Sequence, residues 1–369
     1  MKYYILAGEA SGDLHGSNLI EALKIQDPNA QIRCWGGDLM QAAGGELVSH
    51  YKARAFMGFA EVLTNLPKIF KFIKECKRDI ESFQPDALIF IDNSGFNLRI
   101  AKWAKPKGFN THYYISPQVW ASRPGRVKTI KETIDHMYVV LPFVKDFYDT
   151  YNYPVHFVGH PLIDGIVDRK LSSFEDFKDT HQLENKPIVA LLPGSRKQEI
   201  TKMLDVMLSV TQHYPDHQFV IAGAPSQDAS FYAPYLKNKQ VKLIMNKTYD
   251  VLSFATAALV TSGTATLETA LFKVPQVVCY KGGFISYHIA KRIIKLKYIS
   301  LVNLIMDKEV VTELIQNDFN PENLKKELDK ILDDYHRAVL FLDYYDLEHA
   351  LGGKGASEKT ARLIVEALS

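Results

Sequence analysis

Three stretches of this 369-residue chain combine small and polar residues in patterns that serve ligands. "AGEASGDLHG" at 7–16 follows an apolar run and sets Glu9 and Asp13 among glycines, Gly12 included. Glycines let a backbone approach a ligand and carboxylates accept from hydroxyls, so the stretch suits a hydroxyl-rich ligand better than a phosphate. The same residues also read as a tight turn with an N-capping Asp. "LLPGSRKQE" at 191–199 has different chemistry: Gly194 and Ser195 offer backbone N–H groups at a helix start, and Arg196 adds a fork of donors. Anions belong there, although an ordinary strand-to-helix turn with a solvated Arg has the same residues. "TSGTATLETAL" at 261–271 sets Ser262, Gly263 and Thr264 ahead of an apolar helix, with Glu268 one turn in, where it can take two ribose hydroxyls. The alternative is a well-capped core helix. Two anion cradles in one half of the chain favour a nucleoside diphosphate.

A fourth stretch, "IFIDNSGFN" at 89–97, ends an apolar strand with Asp92. A carboxylate at the carboxyl end of a parallel strand can act as a general base, or it can cap the helix that follows. The dinucleotide pattern GxGxxG, the phosphate loop GxxxxGK[ST] and the GxSxG elbow are absent, as is Asp-x-Asp. His156/His160 and His213/His217 have metal-like spacing, but the first pair falls on a strand and its turn, and Pro215 interrupts the second. No metal and no cofactor is expected. A departing diphosphate would then be stabilised by Arg196 and helix N-termini.

The elements that must position these residues follow a regular rhythm. Short β-branched or aromatic runs alternate with amphipathic helical stretches, and Gly, Pro, Asn or Asp punctuates the junctions. That rhythm predicts an α/β protein with two Rossmann-like parallel-sheet domains facing a cleft. Strands are expected at Tyr3–Ala7, Gln31–Trp35, Ala87–Ile91, Thr111–Ile115, Met137–Val140 and Val155–Val158. A second series is expected within 187–192, then at His217–Ile221, Val241–Met245, Ala257–Thr261 and Gln276–Cys279. The polar stretch 168–186 reads as the linker between an acceptor domain, 1–167, and a nucleotide-sugar domain, 187–334. A helical tail at 335–369 is expected to rejoin the first domain, with Gly352, Gly353 and Gly355 marking the crossing.

Composition fits this reading and excludes others. Forty-seven per cent hydrophobic and twenty-three per cent charged residues describe an ordinary globular chain, and 369 residues exceed what one core usually holds. A net charge of +2 gives no field for nucleic acid. Cys34, Cys76 and Cys279 lie far apart with no CxxC pair, so neither disulfides nor a thiolate metal site is expected, and a reducing cytoplasm fits best. The opening residues are too briefly apolar for a signal peptide. "FMGFAEVLTNLPKIFKFIKECKR" at 56–78 sets Phe56, Met57, Phe59, Ile69, Phe70, Phe72 and Ile73 among lysines, and "FISYHIAKRIIKLKY" at 284–298 has the same character. Such segments suit a membrane surface or acyl chains, or else they are core-facing helices with lysine outward.

In order and spacing, several motifs together resemble the lipid-A-disaccharide synthase family, glycosyltransferases of the two-Rossmann-domain B type. They are "AGEASGDLHG" at 7–16, "MGFAEVL" at 57–63, "IDNSGFN" at 91–97, "YISPQVWA" at 114–121, "LPGSR" at 192–196, "SGTATLE" at 262–268 and "SLVNL" at 300–304. The resemblance spans almost the whole chain. It implies inverting transfer of 2,3-diacylglucosamine from its UDP derivative to the 6-hydroxyl of 2,3-diacylglucosamine 1-phosphate, at the cytoplasmic face of the membrane. It also implies Asp92 as general base, an acceptor border of Glu9, Ser11, Gly12 and Asp13, and UDP contacts from Gly194, Ser195, Arg196, Glu199, Ser262, Gly263, Thr264, Glu268 and Asn303. A homo-oligomer is compatible with it, and nucleic acid is not an expected partner. Family members often carry a second acid just after the base, where this chain has Gly95. The rival readings are another UDP-sugar transferase or a UDP-sugar epimerase of the same fold, and a non-catalytic binder of nucleotide sugars.

Overall fold

The computed structural model describes residues 1–54, 66–122, 124–167, 169, 173–237, 241–282 and 297–369. Phe56, Met57, Phe59, the stretch 57–63 and nearly all of 284–298 lie outside them. The chain forms two compact units, Met1–Asp164 with Leu351–Ser369, and Gly165–Ala350.

In the first unit seven parallel strands, β1 (Lys2–Ala7), β2 (Gln31–Gly36), β3 (Glu46–His50), β4 (Ala87–Ile91), β5 (Thr111–Tyr114), β6 (His136–Val139) and β7 (His156–Phe157), pair in the order β3-β2-β1-β4-β5-β6-β7. Continuous apolar runs suit strands covered on both faces: Tyr3 to Ala7 and Ala87 to Ile91 are buried throughout. The second unit repeats the plan with six parallel strands, β8 (Ile188–Leu192), β9 (Gln218–Gly223), β10 (Val241–Met245), β11 (Ala255–Thr261), β12 (Gln276–Tyr280) and β13 (Glu313–Ile315), in the order β10-β9-β8-β11-β12-β13. Each sheet reverses its winding once, between β1 and β4 and between β8 and β11. Loops leaving the carboxyl ends of those neighbours diverge and open a crevice for ligands.

The structure differs from the sequence reading at four places. β3 and β13 are edge strands with no strong apolar run, and neither is expected from pattern. The polar stretch expected to be a linker holds a helix, Phe174–Thr180, whose first turn is capped by Ser173 Oγ, an acceptor from the Asp176 amide at 3.1 Å. Its Phe177 is 3% exposed and packs with Ile188, Val220 and Leu252 in the core of the second unit. The tail also divides later than residue 335. Helix Asp334–Ala350 stays with the second unit, where Lys273 pairs with Glu348 and donates to the Tyr344 carbonyl at 3.2 Å.

From Leu351 the chain belongs to the first unit. It passes through Gly352, Gly353 and Gly355, all with left-handed backbone, before helix Ala356–Leu368 packs on helix Ala10–Gln26. Asp164 holds that return by accepting from the Gly355 amide at 2.7 Å.

Phe177→Ala should lower stability by about 3–5 kcal/mol, read from denaturant unfolding, because it empties a packed core position. A change below about 1 kcal/mol would restore the linker reading of this stretch.

Candidate active site

Asp92 directly follows β4, at the point where the first sheet reverses. Asp92 and Asn93 both take left-handed backbone, with φ of 43° and 40°. That conformation costs non-glycine residues about 1–2 kcal/mol each, although Asp and Asn tolerate it best. The cost is met by a clamp. Asn97, 1% exposed on helix Ser94–Ala104, sends its Nδ2 back to the carbonyls of Asp92 at 2.8 Å, Ile91 at 3.1 Å and Leu6 at 3.4 Å. Tyr113 on β5 donates its hydroxyl to the Asp92 carbonyl as well. With its backbone fixed, Asp92 turns its side chain to solvent at the sheet edge. Enough protein still surrounds the carboxyl that partial desolvation raises its pKa, and the negative charge of Glu9 raises it further. The Asn93 amide opposes this by donating to the carboxylate.

Glu9 and Ser11 stand exposed where β1 hands over to helix Ala10–Gln26, so they share the sheet edge with Asp92. Two other residues of the same motif do not face a ligand. Asp13 is 3% exposed and spends its carboxylate on the amides of Gly37 at 2.7 Å, Met40 at 3.1 Å and Leu39 at 3.2 Å. It therefore caps the short helix Asp38–Ala42 from a distance. Gly12 is buried against β1, where a Cβ would lie 3.2 Å from that of Ala7, so its small size serves helix-to-strand packing. Gly95 is exposed with open space around it. Arg126, half-buried, approaches the same loop with Nη1 3.4 Å from Ser94 Oγ.

The second unit builds its edge from the ends of β8 and β11. Gly194 adopts φ of 100°, which a side chain would strain, and a Cβ there would also crowd Glu199 at 3.1 Å. Ser195 is fixed through its carbonyl, which accepts from Ser226 Oγ at 2.7 Å and Gln227 Nε2 at 3.0 Å. Arg196 is exposed, its guanidinium 3.3 Å from Glu199, and no side chain caps helix Lys197–Ser209 that it precedes. Helix Thr264–Leu271, entered through Ser262 and Gly263, likewise lacks a side-chain cap. Two helix N-termini and an exposed cation thus gather at the carboxyl ends of these strands, a combination that suits an anion. Glu268, one turn into the second helix, accepts from Tyr249 Oη at 2.8 Å, and desolvation raises its pKa.

Asn303 is a correction. It is fully buried, donates to the Val311 carbonyl at 2.8 Å and Glu313 at 3.0 Å, and accepts from the Val310 and Val311 amides at 2.8 and 3.0 Å. Glu313 in turn accepts from the amides of Ile299 and Ser300 at 2.9 Å, and the Ile299 carbonyl accepts from Ser262 Oγ at 2.9 Å. Asn303 supports the Ser262–Gly263 turn through this relay, with both atoms of its side-chain amide engaged.

The amphipathic stretch is corrected in part. On helix Leu66–Phe83, Ile73 is buried and Phe72 meets the Trp35 ring edge-on at 6.5 Å, so both serve the core. Phe70 is 65% exposed beside exposed Lys71 and Lys74, and Ile69 is half-buried.

Asn97, Tyr113 and Tyr249 were not singled out by sequence. Asn97 closes the "IDNSGFN" motif, which was the available signal; the two tyrosines act across strands or helices and leave none.

The sequence profile of the family described as lipid-A-disaccharide synthetase matches residues 3–365. The chain belongs to the lipid-A-disaccharide synthase family. It is 40% identical over 372 residues to the lipid-A-disaccharide synthase of Geobacter metallireducens, covering 99% of this chain and 96% of that one. Against the enzyme of the same name from Syntrophus aciditrophicus, identity is 39%, over 97% of this chain and 95% of that one. Membership makes it a glycosyltransferase of lipid A biosynthesis. Among solved structures it is similar to the UDP-GlcNAc 2-epimerase of Neisseria meningitidis bound to UDP-GlcNAc, with a TM-score of 0.64 and 13% identity over 100% of this chain and 99% of that one. It is also similar to the calicheamicin glycosyltransferase CalG4, with a TM-score of 0.59 and 16% identity over 100% and 97% of the two chains. Those likenesses establish the fold, the two-sheet architecture shared by B-type glycosyltransferases and these epimerases.

A base must be ionised, so with Asp92 in the role of base expected from the sequence, its upward shift would place the acid limb of kcat/KM above the ordinary carboxylate range. Glu9→Gln removes a repelling charge and should move that limb to lower pH, as read from pH profiles of transfer. An unmoved or raised limb would dissociate Glu9 from Asp92.

Proposed function

We propose that this chain performs its family's reaction with the acceptor handled by the first unit and the UDP-sugar by the second. The reaction passes 2,3-diacylglucosamine from UDP to the 6-hydroxyl of 2,3-diacylglucosamine 1-phosphate, yielding the β-1,6-linked tetraacyl disaccharide 1-phosphate and UDP. The observation that carries the assignment is the Asn97-clamped Asp92 at the switch point of the first sheet. A single carboxylate with raised pKa suits an inverting displacement, which needs one base for the incoming hydroxyl. Asp92 takes that proton as the oxygen attacks the anomeric carbon, and the bond to the UDP oxygen breaks with its electron pair leaving on the diphosphate.

Leaving-group charge falls to the second unit. The amides around Gly194–Arg196 and Gly263–Thr264 and the Arg196 guanidinium stabilise the diphosphate, with Glu199 steering Arg196. Glu268 takes the ribose hydroxyls. Glu9 and Ser11 border the acceptor sugar, while Asp13, Gly12 and Asn303 act as structural supports. These donors meet the charge requirement without a divalent ion.

Among the described residues no helix is long and apolar enough to cross a membrane. Diacylated substrates still reside in one, and exposed Phe70 among lysines suits peripheral contact with an anionic cytoplasmic leaflet.

The test is UDP release from UDP-2,3-diacylglucosamine with and without 2,3-diacylglucosamine 1-phosphate, in EDTA, for the native chain and Asp92→Asn. Acceptor-dependent release that survives chelation and falls by about 10²-fold or more in the variant is expected. Release without acceptor, turnover of unacylated UDP-N-acetylglucosamine, or a fully active variant would contradict it.

A further inference from the structure

We propose that Tyr249 is a positioning residue of the donor site, holding one oxygen of Glu268 so that the other is presented to the ribose hydroxyls of the uridine nucleotide. This rests on the assignment of Glu268 to the ribose. Tyr249 lies on helix Thr248–Phe254 and reaches across to helix Thr264–Leu271, donating Oη to Glu268 Oε1 at 2.8 Å. An ionised carboxylate is purely an acceptor with two oxygens; with Oε1 engaged, rotation of the group is stopped and Oε2 has a set direction.

The tyrosine is itself braced, which a casual surface contact would not be. Its ring lies 5.2 Å from that of Phe272. The Arg169 guanidinium sits 5.8 Å from the Tyr249 centroid and 5.9 Å from that of Phe272. Arg169 is pinned by its ion pair with Asp250 and by a bond to Ser253 Oγ at 3.2 Å, and Ser253 donates to the Tyr249 carbonyl at 2.7 Å. Side chain and backbone of Tyr249 are thus both fixed before any ligand arrives. Preorganisation of this kind improves affinity by removing freedom that binding would otherwise have to freeze.

Glu268 is also the kind of group that needs an orienter. It is largely enclosed, and desolvation disfavours its ionised form, whereas the tyrosine bond favours it. A hydroxyl-accepting carboxylate must stay ionised with a free oxygen outward, and Tyr249 serves both needs.

The test compares binding of UDP with that of 2′,3′-dideoxy-UDP by calorimetry, in the full-length chain and in Tyr249→Phe, with Glu268→Ala in parallel and thermal unfolding as the check on folding. Tyr249→Phe keeps the ring that packs on Phe272 and Arg169 and removes the hydroxyl alone. The expected result is a Kd for UDP raised about 3- to 10-fold, with affinity for the dideoxy nucleotide unchanged, so that discrimination shrinks. The donor KM should rise likewise, with kcat within about twofold. A general structural weakening would lower both affinities together and overturn the proposal, as would full discrimination in Tyr249→Phe when Glu268→Ala has lost it. Full discrimination in Glu268→Ala would overturn the ribose assignment itself.

Discussion

The amide of Asn97 is the interaction on which the first unit's chemistry depends. Two successive left-handed residues at the end of a buried strand would not persist by local preference. They persist because a buried donor gathers the carbonyls of Leu6, Ile91 and Asp92, and Tyr113 adds a further donor to the last. The clamp ties the ends of β1 and β4 together at the place where the sheet reverses. It also keeps the Asp92 side chain at the edge, within the electrostatic reach of Glu9. Backbone strain, burial and charge repulsion thereby converge on one carboxyl group.

The second unit solves the complementary problem by leaving donors unspent. Helices Lys197–Ser209 and Thr264–Leu271 receive no cap bond from the side chain of their N-cap residues, Arg196 and Gly263, so nothing at those positions competes with a ligand for the first-turn amides. Behind them, Asn303 and Glu313 fix the loop that holds Ser262, and Ser226 with Gln227 fixes Ser195.

Much of this was legible in the sequence, because parallel strands buried on both faces announce themselves as apolar runs. Ala87–Ile91, buried at every residue, has the bounds expected from pattern. Glu46–His50 and Glu313–Ile315 are not expected from pattern, since ELVSH and ELI hold only two apolar residues each, whereas the edge strand Val241–Met245 carries the run VKLIM and is expected. Residue type revealed which positions could bind a ligand but not which way they point. Asp13 and Asn303 have the right chemistry, and the fold consumes it through bonds to Gly37, Leu39 and Met40 in one case and Val310, Val311 and Glu313 in the other. Phe177 lay hidden in a polar stretch because this seven-residue helix is anchored by two aromatic residues alone, Phe174 and Phe177, among charged neighbours. Tyr113 and Tyr249 find their partners across separate elements, a pairing that spacing along the chain does not encode.

The central claim is that the Asn97 clamp makes Asp92 a competent base without contributing to nucleotide binding. Single-turnover transfer rates and UDP affinity, measured on Asn97→Ala and on the isosteric Asn97→Asp, test it most directly, since aspartate keeps the shape but cannot donate when ionised. The account predicts a rate lowered about 10- to 100-fold in both variants, at unchanged UDP affinity. A folded Asn97→Ala protein that transfers within about twofold of the native rate would contradict it.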